Sequence, residues 1–234
     1  MTPELQKALE LKSKLKTGKA CFGAQLAPCD PAVAEIFRRA GYDWLIIDTE
    51  HAASDTFTVR AMLQAATHMT AMALARPLRL DADLIRRYLD LGSPGVLCPF
   101  INNGEEARRL VAACRYPPAG IRGYGPRRAG VYGTDADDYF REANDAILCI
   151  SIIESKAAIE NIEDIVSTDG IDGVCIGPMD LSIDLGCFKL GCFKQFDSSL
   201  LFTLRRWKKF AAPARSSTKR WEPAAIAWTT PNNA

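Results

Sequence analysis

The sequence predicts an α/β chain folded as a (β/α)8 TIM barrel that is incomplete or aberrant at its carboxyl end. Apolar, strand-like runs alternate with helical segments at least six times, which favours a parallel sheet. Successive strand ends at Asp48, Arg76 and Phe100 lie 28 and 24 residues apart, and the next, at Glu154, follows 54 residues later. Even units of about 25 residues, without G-x-G-x-x-G after the first strand, favour a barrel over a dinucleotide-binding sheet.

The amino-terminal half follows this alternation. A charged helical segment precedes the first short strand, and Asp30 with Pro31 forms an N-cap and first-turn pair for the next helix, which ends at Gly41. The apolar run of Leu45, Ile46 and Ile47 is too short for a helix and marks a buried strand. The predicted elements are strands over 21–27, 42–48 and 71–77, and helices over 31–41, from 54 or 55 onward, and over 82–92.

The second half continues the pattern after an interruption. Six glycines and prolines between 117 and 126 rule out a regular element there. Because the spacing from Phe100 to Glu154 is close to two units, we expect one irregular unit in this glycine-rich segment. The predicted elements are strands over 95–100, 146–154 and 173–178, and helices over 105–114, 137–143 and 156–166.

The carboxyl end departs from the pattern. GCFKL is followed at once by GCFKQ, a tandem duplication over 186–195, and residues 183–234 hold nine Lys or Arg against three Asp or Glu. Beyond a short helical segment near 198–210, no clean strand supplies the last units of a barrel. We therefore divide the chain into a barrel domain over 1–186 and an aberrant tail over 187–234.

The bulk composition excludes several classes of protein. The formal net charge is +1, so no basic excess indicates nucleic acid or an anionic membrane. The first thirty residues lack the apolar core of a signal peptide, and no run of about 18 apolar residues predicts a membrane span. Eight cysteines occur without a CxxC pair, and several lie inside apolar strand patterns, where Cys is a small buried hydrophobe. We expect a cytoplasmic protein.

Polar side chains collect at the predicted strand ends, where the loops of a parallel barrel converge. Glu154 and Asp180, on successive strands, supply the oxygen ligands that Mg²⁺ or Mn²⁺ prefers. A glutamate at the end of so apolar a strand is costly without a partner, which favours a metal. An arginine suits a developing oxyanion, and a histidine carries protons near neutral pH. The other strand-end residues are Asp48, Glu50, His51 and Arg76, and simple pairing of Arg76 with either carboxylate is an equal alternative.

Several motifs together resemble the HpcH/HpaI aldolase family, the metal-dependent class II aldolases that use pyruvate as the nucleophile. The resemblance covers residues 20 to about 186, in the family's order and spacing. The matching stretches are DWLIIDTEHA, the strand end at Arg76, LDLGSPGVLCPFINNGEEAR, RYPPAGIRGYGPRRA, IIESKAAIENIEDI and DGIDGVCIGPMDLS.

The resemblance implies a role for each site residue. Glu154 and Asp180 would bind a divalent metal (Mg²⁺, Mn²⁺ or Co²⁺), and Arg76 would face the keto oxygen of pyruvate and stabilise the enolate. His51 would be the acid/base, with Asp90 as its orienting partner. The substrate carboxylate would lie against the backbone of Gly177, Pro178, Met179 and Asp180. A glutamine that the family carries two residues before the glutamate is Ile152 here.

The function implied is reversible cleavage of a 4-hydroxy-2-oxoacid to pyruvate and an aldehyde. The implied partners are a small 2-oxoacid and further copies of the chain, as a homo-oligomer (a hexamer by resemblance). Two alternatives stay open: an inactive or scaffold barrel that lost its closing segment, and a related acyl-CoA-ester lyase or macrophomate-synthase-like decarboxylase. Arginines over 115–128 fit an anionic substrate tail, a subunit contact or pairing within the loop, and we expect His68 to be structural.

Overall fold

A computed structural model describes residues 2–17, 19–67, 71–186 and 224–226. Within these ranges, seven strands form one parallel sheet in which the spatial order equals the order in the chain. The strands are β1 (Gly23–Leu26), β2 (Trp44–Asp48), β3 (Met72–Arg76), β4 (Gly95–Cys98), β5 (Leu148–Ile153), β6 (Gly173–Ile176) and β7 (Ala224–Ile226).

Helices connect these strands. They are α1 (Pro3–Lys16), α2 (Pro31–Arg39), α3 (Thr56–Ala65), α4 (Ala82–Asp90), α5 (Gly104–Cys114), α6 (Ala136–Ala146), α7 (Lys156–Glu160), α8 (Ile162–Ser167) and α9 (Pro178–Asp184). The predicted N-caps are confirmed at Asp30 and Asp81, and Asp55, one of two predicted starts, caps α3; each carboxylate accepts a backbone N–H of its helix. No helix in the described ranges has the length and apolarity to cross a bilayer.

The α/β class and the parallel sheet are confirmed, and the described strands make the half-barrel part of the predicted fold. Strands β2 to β6 are buried along nearly their whole length, as parallel strands covered on both faces must be. The predicted helix near 198–210, residues 187–195 of the duplication and His68 lie outside the described residues. Ala224–Ile226, where the sequence shows no clean strand, pair with β6 as β7, so that expectation was wrong.

The prediction of an irregular strand–helix unit in the glycine-rich segment was wrong. Strand β4 pairs directly with β5, with Gly95 opposite Leu148, so residues 115–135 contribute no strand between them. The chain instead crosses over through a 3₁₀ turn at Val131–Gly133 and helix α6. The 54 residues between Phe100 and Glu154 are therefore one long connection from β4 to β5, and not two strand–helix units.

Helix α1 covers the amino-terminal ends of the strands. Its buried Ala8 and Leu11 pack with Trp44, Met72 and Leu148, each at or near the start of a strand. This leaves the carboxyl ends of the strands as the face on which the loops meet, where the sequence predicts the site.

Candidate active site

The aspartate that ends β2 and the arginine that ends β3 form the centre of the strand-end cluster. Asp48 and Arg76 are cross-strand partners in the β2–β3 register. The guanidinium donates two hydrogen bonds to the carboxylate, from Nε to Oδ1 at 2.9 Å and from Nη2 to Oδ2 at 2.6 Å. Both residues are buried. A bidentate pair of this kind fixes the plane of the guanidinium as well as its position.

Asp48 also organises its surroundings. Its Oδ2 accepts a hydrogen bond from Nε2 of Gln25 at 2.6 Å, and its Oδ1 accepts the backbone N–H groups of Glu50 and His51 at 3.0 and 3.3 Å. Burial pushes the pKa of Asp48 upward, but the hydrogen bonds and charge of Arg76, with the bond from Gln25, hold it below its usual value. Asp48 therefore stays ionised and positions both Arg76 and the loop that carries His51.

Glu50 lies on the other side of the same guanidinium. Its Oε2 is 3.2 Å from Nη1 of Arg76 and 3.8 Å from Nε2 of His51. This oxygen is buried and accepts no hydrogen bond of good geometry, so the ion pair is all that compensates it. Burial raises the pKa of Glu50 against the charges of Arg76 and His51, and Asp48 and Asp180 raise it further.

Glu154 follows β5 and is 3% exposed. Its Oε1 accepts the backbone N–H of Phe100 at 2.7 Å. Burial raises the pKa of Glu154 to about 7, and the negative charges of Glu50 and Asp180 contribute in the same direction. Gly177 lies against this carboxylate so closely that a Cβ would stand 2.6 Å from Oε2, so the contact requires glycine.

Asp180 lies in the first turn of α9 and is half-buried. Together with Glu50 and Glu154 it forms a group of three carboxylates that repel one another, with Arg76 as the nearby fixed cation. Excess negative charge and a buried Glu50 oxygen that accepts no hydrogen bond fit a divalent cation bound nearby. The described residues hold no cluster of three or more His, Cys, Asp or Glu that would bind a metal by itself. Two carboxylates with positions left open for water and substrate are the arrangement that fits.

The structure brings together most of the predicted site residues but gives Asp90 another partner. Asp90 ends α4, and its Oδ1 accepts a hydrogen bond from Nη2 of Arg122 at 2.7 Å. Its expected contact with His51 is absent from the contacts of the described residues. Helix α4 runs back from the carboxyl ends of the strands, so its last residue lies toward their amino ends. A role of Asp90 in the reaction stays a prediction that this chain's own contacts do not support.

Two arginines of the glycine-rich segment pair within the protein. Arg122 is 2% exposed and packs over the rings of Tyr116 and Tyr139 at 4.5 and 5.5 Å. Arg128 donates to the carbonyl oxygen of Leu91 at 2.6 Å. The contacts of Arg122 and Arg128 thus tie the loop to Asp90 and Leu91 at the end of α4, which disfavours an anionic substrate tail as their partner.

Sequence reasoning missed two contributors to the site. Gln25 is the only amide side chain in the strand predicted over 21–27, and that isolated polar position was the signal for it. The backbone N–H of Phe100 left no signal in side-chain chemistry, because every residue except proline carries such a group.

Comparison with known proteins identifies relatives over the part of the chain that holds β1 to β6. The family model for HpcH/HpaI aldolase/citrate lyase matches residues 23–195. A hydroxypyruvate/pyruvate aldolase of Deinococcus radiodurans is 44% identical over 176 residues, which cover 75% of this chain and 64% of that protein. A 4-hydroxy-2-oxo-heptane-1,7-dioate aldolase of Klebsiella pneumoniae is 43% identical over 176 residues, which cover 75% and 66%. This chain thus spans about two thirds of the length of these relatives.

A solved structure agrees with these sequence matches. The crystal structure of an HpcH/HpaI aldolase/citrate lyase family protein from Burkholderia cenocepacia has a TM-score of 0.77 and 30% identity, covering 86% of this chain and 80% of that one. The similarity therefore extends over both the strands and their connections.

Proposed function

The chain belongs to the HpcH/HpaI aldolase/citrate lyase family, and on that premise we propose that it is a divalent-metal-dependent aldolase. It would cleave a 4-hydroxy-2-oxoacid reversibly to pyruvate and an aldehyde. The observation that carries this proposal is the cluster at the strand ends, where Arg76 is held between Asp48 and Glu50 beside the raised-pKa carboxylate of Glu154. Such a cluster suits a reaction in which negative charge develops on a substrate oxygen.

Arg76 would stabilise the enolate oxygen of pyruvate. Its Nε and one Nη2 hydrogen are used by Asp48, and one Nη1 hydrogen faces Glu50. Because a guanidinium has five N–H donors, two are left for substrate. Their direction is fixed by the bidentate pair, so little reorganisation is needed when charge develops.

Glu154 and Asp180 would hold the divalent cation (Mg²⁺, Mn²⁺ or Co²⁺). Such an ion, when bound, supplies a Lewis acid that lowers the energy of the enolate. The backbone from Gly177 to Asp180, next to Glu154, would receive the carboxylate of the substrate, as the family resemblance implies. The ion would also relieve the mutual repulsion of the carboxylates around Arg76.

His51 would move the proton of the C4 hydroxyl when the C3–C4 bond breaks. Its side chain is 62% exposed and lies 3.8 Å from Glu50, so it can meet both solvent and substrate. Its backbone N–H is held by Asp48, which fixes the loop relative to Arg76. An imine mechanism is disfavoured, because Lys156, the lysine nearest Glu154 in sequence, begins α7, is 65% exposed and faces Glu160.

The proposal extends to assembly and location. We propose a cytoplasmic homo-oligomer acting on a small 2-oxoacid. The division into a domain over 1–186 and a tail over 187–234 stays a prediction, and Ala224–Ile226 of that tail join the sheet as β7. Size-exclusion chromatography with light scattering of the full chain measures the assembly directly; a monodisperse hexamer would show that the tail is compatible with the family's assembly.

Pyruvate release tests the reaction. Full-length, metal-loaded protein is mixed with a panel of 4-hydroxy-2-oxoacids, and pyruvate is followed through lactate dehydrogenase. Release that depends on divalent metal and is abolished by chelation is expected. No release from any member of the panel, with a folded and metal-loaded protein, would contradict the proposal.

A further inference from the structure

Large apolar side chains are exposed at the carboxyl ends of the strands, next to the cluster of Arg76 and the carboxylates. We call four of them the acceptor rim: Leu78, Phe100, Met179 and Ile183, with exposures of 52%, 48%, 39% and 57%. Leu78 comes two residues after β3, and Phe100 two residues after β4. Met179 and Ile183 lie one turn apart on the same side of α9. The rim therefore draws on three separate strand ends.

Phe100 is attached to the site by its backbone. Its N–H donates to Oε1 of Glu154 at 2.7 Å, and its φ of 50° is a conformation that side chains other than Gly, Asn and Asp seldom adopt. The contact fixes the start of this side chain one hydrogen bond away from a proposed metal ligand. An exposed ring beside a charged centre is a contact for the part of a substrate that extends away from that centre.

The charge of the same loops disfavours a substrate that carries a second carboxylate. In the loops that follow β1 to β6, Arg79 is the single Lys or Arg of the described residues, and its guanidinium is 3.4 Å from Asp81. The acidic residues of these loops are Asp30, Glu50, Asp55, Asp81 and Glu154. In the described part of these loops, a second carboxylate on the substrate would meet more negative than positive side chains, with the 70% exposed Arg79 as the single Lys or Arg.

We infer that the acceptor of this aldolase is a neutral aldehyde with an apolar chain, which packs on the acceptor rim. This inference rests on the proposed function and goes beyond it by naming the acceptor class. It differs from what the name of the heptanedioate aldolase implies for that relative, because cleavage of its substrate between C3 and C4 releases an aldehyde that bears a carboxylate.

A matched pair of acceptors tests the inference. Full-length, metal-loaded protein is given pyruvate with either pentanal or 4-oxobutanoate, which are similar in length and differ in charge. We expect kcat/KM to be at least about tenfold higher for pentanal, the size of effect that an apolar pocket supports. Proton exchange at the methyl group of pyruvate in heavy water, which needs no aldehyde, is measured in parallel.

Two rim variants and one control locate the effect. Leu78→Arg adds a cation to the rim and should lower the pentanal preference at least about fivefold. Phe100→Asn removes the ring but keeps a residue that tolerates a positive φ, and it should lower kcat/KM for pentanal more than for 4-oxobutanoate. Ile121→Arg is the control, because Ile121 is 68% exposed but lies in the connection between α5 and α6. It should leave the preference unchanged.

The two proposals fail in different ways. Preference for 4-oxobutanoate, or rim variants that behave like Ile121→Arg, would overturn the acceptor assignment while exchange still supported an aldolase. Absence of exchange in the folded, metal-loaded wild type would overturn the proposed function, and the acceptor assignment with it.

Discussion

Two buried ion pairs lie at opposite ends of the strands, and they differ in how completely their charges are satisfied. At the amino-terminal ends, Nζ of Lys12 contacts Oδ1 of Asp172 at 3.1 Å and donates to the carbonyl oxygens of Asp145 and Ile147. Oδ2 of Asp172 accepts the backbone N–H of Cys149 at 2.8 Å. Each charged group of this pair is matched by a partner.

At the carboxyl ends, the pair of Asp48 and Arg76 is equally well made, but further carboxylates crowd around it. Glu50 keeps a buried oxygen without a hydrogen bond, and burial with neighbouring charge raises the pKa of Glu154. The fully hydrogen-bonded pair of Lys12 and Asp172 joins a helix to the sheet and has a structural role. The excess of carboxylates around Arg76 costs stability, and a functional role explains why it is kept. Substitutions at the two ends should therefore affect different properties.

The largest effect is expected from Glu154→Gln. The amide retains an acceptor for the N–H of Phe100 but removes the charge that would bind metal. Turnover should fall at least about 1000-fold and metal affinity at least about 100-fold. The metal-free protein should become more stable by about 1 kcal/mol, because a repelled, buried carboxylate is gone. Calorimetry measures the metal affinity, and urea unfolding with chelator measures the stability of the metal-free protein. Unchanged metal affinity would contradict the assignment of Glu154 as a metal ligand.

The next effect is expected from Arg76→Lys, which retains the charge and loses the fork that binds Asp48. Turnover should fall about 100- to 1000-fold, close to the loss of one oxyanion donor, while metal affinity changes little. Steady-state kinetics and metal titration of the same sample separate the two quantities. A parallel loss of metal affinity would show that Arg76 organises the metal ligands instead of the enolate.

At the other end, Lys12→Met should act on stability. It leaves Asp172 buried without its cation, which costs about 3 kcal/mol, while kcat of the folded protein stays near that of wild type. The double variant Lys12→Met with Asp172→Asn is the matched control and should recover part of the loss, because both charges are then removed. Urea unfolding gives the stabilities. A large loss of kcat in the folded Lys12→Met protein, with little change in its free energy of unfolding, would contradict the distinction between the two ends.

The smallest effect concerns pH. The pKa of Asp48 is lowered, so its stabilisation is present above its ordinary value and is lost as pH falls through the folded-state pKa. Burial raises the pKa of Asp172, so its contribution has the opposite sign and stability declines as pH rises through the folded-state pKa. Urea unfolding of Asp48→Asn and Asp172→Asn against wild type, from about pH 6 downward, should give differences of about 1 kcal/mol that change in opposite directions. Parallel pH trends would contradict this.

The sheet was predictable because its strands are apolar runs bounded by glycine, proline or acidic residues, which mark their ends to within a few residues. The strand ends also indicated where the polar side chains would collect, since parallel strands bring their carboxyl ends together. The connection over 115–135 was not predictable from spacing, because a strand and a 3₁₀ turn followed by a helix consume similar lengths of chain. Positive φ angles at Val131 and Tyr132 add to this, since neither residue type signals them.

The predicted site residues that the structure brings together lie at strand ends or within a few residues of them. Asp90 ends a helix, and the direction of α4 carries it toward the other end of the sheet, where Arg122 binds it. Gln25 and the N–H of Phe100 act on other site residues and not on substrate, so a search for reactive side chains does not find them. Such supporting contacts become visible only when the strand registers are known.

Proton exchange at the methyl group of pyruvate in heavy water tests the central claim most directly, because it needs the charge-rich end of the sheet and no aldehyde. With Mg²⁺, NMR of pyruvate should show exchange above background for wild type and for Lys12→Met. The same measurement should show little or none for Glu154→Gln and for Arg76→Lys. Exchange that is lost in Lys12→Met while it persists in Glu154→Gln, with all proteins folded, would contradict the account.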